Sequence, residues 1–573
     1  MNGVPINRDP SNDELQLIVA LYTQGDFERA LSIGKLLCTR FPKSAVLLNL
    51  CGAVYAALLE YDLAVESYAK AIKLDPSFAD YHANMANVQL DRGDVDGAIK
   101  SYRKSIQIDP NYAEAYSDLG LALQIKGEWQ ESIDCFNHAL AINPNFAEAH
   151  SNVANAMQAV GNAEAAISSC KKALEINPNL ATAHYNLGNA FQQLGDLDAA
   201  LTSYRQAIIS APNLDSAFCS IGRVLHSKGD LNGAIENFRL ALSINQDVAE
   251  THYFLGVALH DSGSLGNAHD SYKRALILDP QHSLAATNLA KLLYENKQFR
   301  EAAEIFSLNE NSESQQYLLK CLYEMGSEPA IFTQLRKLID NGEKNAVIGS
   351  YVSRAHKRYG IELRNPYCQK PLNFVHHKSL LHTVDFAATF GRIASTLLTD
   401  SAAEHRAQTL LTNGIQTAGN VFSQCGELGR EIEMIIRTEI ENYRKYFKES
   451  NEGLIRNWPE KYTLSGWIVS MAEGGKLAAH MHDSGWLTGS IYINVPPKSQ
   501  PDSGNLVVAS EDVENDAAVS ENRRSIDVIT GSLCLFPSSL LHYTRPFNAN
   551  PFNANPFNAK EKRVVLAFDM IPL

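Results

Sequence analysis

Several things are scarce in this sequence, and each shortage removes a class of protein. No run of about 18 or more apolar residues occurs along its 573 residues, so no membrane-spanning helix is expected. The first residues, Met1 to Asp9, hold no apolar core of a secretory signal. The nine cysteines, from Cys38 to Cys534, are scattered, odd in number and never spaced C-x-x-C. That pattern disfavours a disulfide framework or a zinc site and predicts reduced thiols in a cytoplasmic protein. Positive charge is short as well. Lys and Arg number 50 against 64 Asp and Glu, a net charge of -14, which disfavours a nucleic-acid partner. The length is too great for one core and predicts two or three domains.

What the first half does have is a strict period of 34 residues. A small residue recurs at Ala30, Ala64, Ala98, Ser132, Ala166, Ala200, Ala234, Ala268 and Ala302. A glycine keeps the same step at Gly25, Gly93, Gly127, Gly161, Gly195, Gly229 and Gly263, with Leu59 and Lys297 in its place in two units. Prolines from Pro42 to Pro280 keep it too, with Gln246 the exception. The glycine suits a turn between two helices that needs positive φ, and the proline closes the second helix. The small residue lets the pair approach closely, and aromatics such as Tyr68, Tyr102 and Phe136 fall four residues later on the same face. One such hairpin cannot bury its apolar face alone, so the units must stack.

The pattern resembles the tetratricopeptide repeat (TPR) family over residues 12–308, as nine units after an extension at 1–11. The resemblance implies an all-α superhelix with a concave groove. On the groove-lining helices, asparagines recur at i and i+3: Asn84 and Asn87, Asn152 and Asn155, Asn186 and Asn189. Such a ladder can bond the main chain of an extended peptide, or Asn is simply common at this repeat position. A similar ladder occurs in the superhelix of the O-linked N-acetylglucosamine transferases.

The period stops after Phe306. Residues 309–370 open with a polar break, Asn309 to Ser314, and then keep helical apolar spacing, which predicts a helical cap or linker. A further helix is expected at about Gly426–Tyr446. From Tyr462 the apolar period falls toward two, in short runs between turns: Leu464–Met471, Thr488–Val495, Asn505–Ala509, Ser525–Ile529, Ser532–Pro537 and Arg563–Met570. Many short strands predict a sandwich or barrel.

Chemistry-bearing residues cluster in that last segment. His480 and His482 alternate along one expected strand, so both imidazoles can reach one ion. His542 follows a later strand, and Arg563 opens the last one. Paired ligands, a distal histidine and a later arginine are the layout of a non-haem Fe(II) site of facial-triad type. The arginine offers a fixed fork for a carboxylate, here the distal one of 2-oxoglutarate. Tyr492 either bonds that cosubstrate or fills the core.

The run His480-Met481-His482-Asp483-Ser484-Gly485-Trp486-Leu487-Thr488-Gly489-Ser490-Ile491-Tyr492 resembles the H-x-H-P-x-x-W-L-S-G-V-Y-Y stretch of a 2-oxoglutarate/Fe(II) oxygenase family. Gly531–Tyr543 and Arg563–Asp569 resemble its later stretches. Bacterial members of that family often carry tetratricopeptide repeats. The resemblance covers roughly residues 360–573 and implies a double-stranded β-helix (jelly-roll, cupin-like) domain at 371–573. It implies a dioxygenase with Fe(II) and 2-oxoglutarate as cofactors, and the pairing of that domain with a peptide groove predicts a protein or peptide substrate brought by the repeats and hydroxylated.

Two departures matter. The commoner triad has an aspartate where this chain has His482, so His482 is either a third ligand or a group behind the ligands. The alternative function is a non-catalytic TPR scaffold with a degenerate oxygenase domain. The second departure is length. A five-residue unit recurs at Pro546–Asn550, Pro551–Asn555 and Pro556–Lys560. It is expected to lengthen one hairpin loop away from the barrel mouth; the other reading is a damaged final strand.

Overall fold

The structure, a computed structural model, describes residues 9–399, 405–406, 410–513, 520–547 and 562–573. The chain divides into two compact units, Met1–Ala285 and Ala286–Leu573.

The first unit holds sixteen helices among its described residues, from Asn12–Thr23 to Leu265–Leu278, paired as antiparallel hairpins. All but one of these hairpins turn on the periodic glycine, at φ between 78° (Gly25) and 86° (Gly93). Leu59 takes the same left-handed conformation at φ 61°, so the turn is imposed by its neighbours even without glycine. Aspartates cap many second helices: Asp94 accepts from the Gly97 amide at 3.0 Å and Asp196 from the Ala199 amide at 3.1 Å. The small-residue stripe from Ala30 to Ala268 is fully buried. A second glycine period lies opposite it. A Cβ on Gly120, Gly188 or Gly256 would fall within 2.6 Å of the ring of Phe136, Tyr204 or Tyr272.

The second unit begins within the helix Ser283–Glu295 and continues through Phe299–Ser307 to three helices, Ser312–Met325, Glu328–Asp340 and Ala346–Tyr359, which share a core of Leu319, Tyr323, Ile331, Leu335, Val347 and Tyr351. Ten strands follow among the described residues: β1 (His376–Ser379), β2 (His405–Arg406), β3 (Leu411–Thr417), β4 (Tyr462–Leu477), β5 (Leu487–Asn494), β6 (Leu506–Ala509), β7 (Arg523–Ile526), β8 (Ser532–Pro537), β9 (Leu541–Thr544) and β10 (Arg563–Pro572). They form a seven-stranded sheet, β1-β8-β5-β10-β4-β3-β2, and a three-stranded sheet, β7-β6-β9, all antiparallel. This is the jelly-roll arrangement that the family resemblance implies, within the sandwich or barrel class expected from the strand pattern.

Both faces of the large sheet are covered, which is why β5 and β8 are buried along almost their whole length. Leu533 and Leu535 on β8, with Ile491 and Leu566, pack outward against Ile432, Ile436 and Ile440 of the helix Gly426–Tyr446. Cys534 and Phe536, with Tyr492 and Val565, pack inward against Leu506, Val508 and Ile526 of the small sheet. The inward face of β10 therefore carries Arg563, Val565, Ala567 and Asp569 in alternation. β10 is intact, paired with β4 over its ten residues and with β5 on its other edge. Of the five-residue repeat, Pro546 and Phe547 are seen, and the remainder lies outside the described residues.

Candidate metal centre

His480 and His482 do not sit on a regular strand. β4 ends at Leu477, three residues early, and His480 makes a single antiparallel bridge to His542 on β9. The His480 amide donates to the His542 carbonyl at 3.1 Å and the return bond is 2.8 Å. This bridge ties the end of the large sheet to the small one. It brings together the three imidazoles that sequence spacing put forward: their candidate ligand atoms all lie within 4.8 Å of one another.

The hydrogen bonds set the tautomers. The His480 Nδ1 lies 2.8 Å from the Ala478 carbonyl oxygen, and the His482 Nδ1 lies 2.6 Å from Asp569 Oδ1. Both partners only accept, so both Nδ1 atoms carry the proton and donate it. Each neutral ring then presents its Nε2 lone pair, and the two Nε2 atoms face each other at 3.2 Å. That contact is repulsive unless a proton or a metal ion lies between them. Two nitrogens bound at right angles to one metal at about 2.1 Å stand roughly 3 Å apart, so the spacing suits an ion. Burial pushes His480 down to about 4 and holds His542 well below its ordinary value, and the neighbouring imidazoles add to both effects. The His542 Nδ1 has no hydrogen-bond partner among the described residues.

Asp569 is the group that sequence reasoning missed. It also accepts from Thr488 Oγ1 at 2.9 Å, which fixes the carboxylate behind His482. The alternation on β10 could have found it, since Asp569 shares the inward face with Arg563. Asp483, next to His482, turns away and pairs with Lys320. The only carboxylate against the imidazoles among the described residues is thus a hydrogen-bond acceptor for one of them.

Arg563 is fully buried, and none of its three guanidinium nitrogens has a hydrogen-bond partner among the described residues. Its guanidinium carbon lies 5.0 Å from the Tyr492 ring centroid. Desolvation lowers its pKa, partly offset by Tyr492, while burial raises the Tyr492 hydroxyl to about 12. A cavity of about 50 Å³ is lined by His482, His542, Thr488, Tyr492 and Arg563, with apolar walls at Val469 and Leu506. Imidazoles at one end and an anion-seeking guanidinium at another fit a metal with a carboxylate ligand.

Residues 465–569 match a family model described as "Putative 2OG-Fe(II) oxygenase". Tetratricopeptide repeat models match residues 52–91, 87–125, 113–146, 145–208, 222–263 and 259–316. The chain is a tetratricopeptide-repeat protein with a C-terminal domain of this oxygenase family. It is similar to the protein of Arabidopsis thaliana named "Probable UDP-N-acetylglucosamine--peptide N-acetylglucosaminyltransferase SEC", with 37% identity over 87 residues. That match spans 15% of this chain and 9% of that protein. Among solved structures, the crystal structure of MamA is 28% identical, covering 28% of this chain and 94% of that one with a TM-score of 0.26. A tetratricopeptide repeat protein from Parabacteroides merdae is 16% identical, covering 43% and 96%, with a TM-score of 0.38.

The repeat asparagines divide into two sets. Asn84 Nδ2 donates to Asn49 Oδ1 at 3.0 Å, and Asn186 Nδ2 donates to the Ser151 carbonyl at 3.0 Å. These two link neighbouring units. Asn87 and Asn189 accept from Tyr102 and Tyr204 of their own hairpins, while Asn155 Nδ2 also reaches a neighbouring unit and donates to Gln124 Oε1 at 3.2 Å. Asn87 and Asn155 are exposed, whereas Asn152 and Asn189 are half-buried. No helix among the described residues is long and apolar enough to cross a membrane.

Proposed function

We propose that this protein is an Fe(II)- and 2-oxoglutarate-dependent dioxygenase that hydroxylates a protein or peptide recruited by its repeats. The observation that carries the reading is Arg563, a buried guanidinium with no hydrogen-bond acceptor among the described residues, lining the same cavity as His482 and His542. His480, His482 and His542 would hold the iron, with Asp569 orienting His482. Arg563 takes the distal carboxylate of 2-oxoglutarate as a two-pronged donor, and the Tyr492 ring supports the guanidinium. When bound, iron and 2-oxoglutarate supply the oxidative chemistry, in which 2-oxoglutarate, O₂ and a substrate C–H become succinate, CO₂ and C–OH. Val469 and Leu506 keep the cavity wall apolar and limit water.

Residues 12–308 serve as the recruiting array, 309–370 as a cap, and 371–573 as the oxygenase domain. A peptide ligand is favoured by the asparagines on the groove-lining helices, Asn84, Asn87, Asn152, Asn155, Asn186 and Asn189. It is favoured also by the likeness to a plant protein whose name gives peptide as its acceptor. The free cysteines suit a cytoplasmic setting.

The test is succinate release from 2-oxoglutarate by the iron-loaded chain, with and without a pool of unstructured peptides. Peptides should raise succinate, and a variant with Asn87→Ala and Asn155→Ala should need about tenfold more peptide, since several main-chain hydrogen bonds are lost together. No succinate under any condition would leave a non-catalytic scaffold.

A further inference from the structure

We propose that Lys320, on the helix Ser312–Met325, is a positioning residue for the metal-binding loop, so that the helices ahead of the barrel form part of the site. The proposal rests on the reading of His480, His482 and His542 as metal ligands.

Between Leu477, where β4 ends, and Leu487, where β5 begins, the chain has little ladder support. Among the described residues, backbone bonds from outside reach it at Ala478, at the His480–His542 bridge and near Trp486, and within it the Gly485 amide donates to the His482 carbonyl at 3.3 Å. Residues 481–483 must therefore be held by their side chains. Each of the three is anchored to a different part of the unit. Met481 packs, partly buried, against both the core of the helices 312–359 and the main core beneath the large sheet. His482 is fixed through its Nδ1–H to Asp569 on β10. Asp483 accepts from the Lys320 ammonium.

The Lys320 side chain is only 9% exposed, and its ammonium lies 4.3 Å from the Tyr317 ring centroid. A nearly buried cation needs its anion, and Asp483 is the carboxylate that meets it. The pair therefore resists displacement of Asp483, and Asp483 is covalently adjacent to the imidazole that faces His480. Removing the ammonium frees one end of the loop. His482 then keeps its Asp569 bond but loses the backbone position that aims Nε2 at His480.

The same helices make a second clamp that does not touch the metal loop. Asp512, just after β6, accepts from Arg354 Nε at 2.6 Å and from the Tyr323 hydroxyl at 2.5 Å. It serves as the internal control for general loosening of these helices.

The experiment uses the full chain, metal-free, titrated with Co(II) without oxygen and followed by its d–d absorption, beside the melting temperature of each apo protein. Lys320→Met and Asp483→Asn should each weaken Co(II) binding about tenfold or more and alter the band shape, as loss of an orienting partner does. Lys320→Arg should restore both. Arg354→Met should lower the melting temperature and leave Co(II) affinity unchanged. The proposal is overturned if Lys320→Met and Asp483→Asn bind Co(II) with wild-type affinity and spectrum, or if Arg354→Met weakens binding as much as they do. A wild-type chain that takes up no Co(II) would instead remove the metal-site reading on which the proposal stands.

Discussion

At the scale of single residues, Arg563 sets the strongest constraint. A guanidinium withdrawn from water without an anion destabilises a fold by several kcal/mol, because neither solvent nor a partner balances its charge. Replacing it with methionine, close in length and apolar, removes that penalty. Arg563→Met should therefore melt at or above the wild-type temperature when no ligand is present. Added 2-oxoglutarate with Mn(II), without oxygen, should raise the wild-type melting temperature and leave the variant unmoved. An equal rise in both proteins would separate Arg563 from the cosubstrate. His480 and His542 lie at the other end of the same logic: burial lowers the pKa of both, so their lone pairs are available to a cation rather than taken by protons.

At the scale of elements, the repeat turn carries its own test. Leu59 occupies a left-handed position at φ 61° that other units give to glycine, and it is 71% exposed. Relieving that conformation should stabilise by about 0.5–1 kcal/mol after the extra chain entropy of glycine is subtracted, so Leu59→Gly should unfold at higher urea. Gly195→Ala, at φ 80°, should shift the midpoint the other way. The opposite sign in either variant would mean that the turn is not what limits these hairpins.

These elements also show why some of the structure was readable and some was not. The helices were legible because glycine, alanine and proline mark physical necessities at fixed spacing. The strand Ser532–Pro537 and the helix Gly426–Tyr446 were legible because their apolar periods are clean. β1, β2, β3 and β9 were not anticipated, since they are short or half-polar and owe their existence to a neighbour. Alternation predicts the histidine pair on a strand, since it is the local way for two imidazoles to converge. A bridge from β9 does that work instead, and such long-range pairing leaves no local signal. Asp569 and Lys320 were missed for the same reason, their partners lying 87 and 163 positions away in the chain.

At the scale of the whole molecule, a repeat array and an oxygenase domain share one chain, and the account stands on the second of them holding iron. Three imidazoles within 4.8 Å explain a metal centre only if one ion needs them together. The direct measurement is the iron content of protein purified without oxygen, wild type beside His542→Ala, with circular dichroism to confirm that both are folded. The account predicts close to one iron per wild-type chain and almost none in the variant. Equal iron in two folded proteins, or none in either after loading with Fe(II), would contradict it.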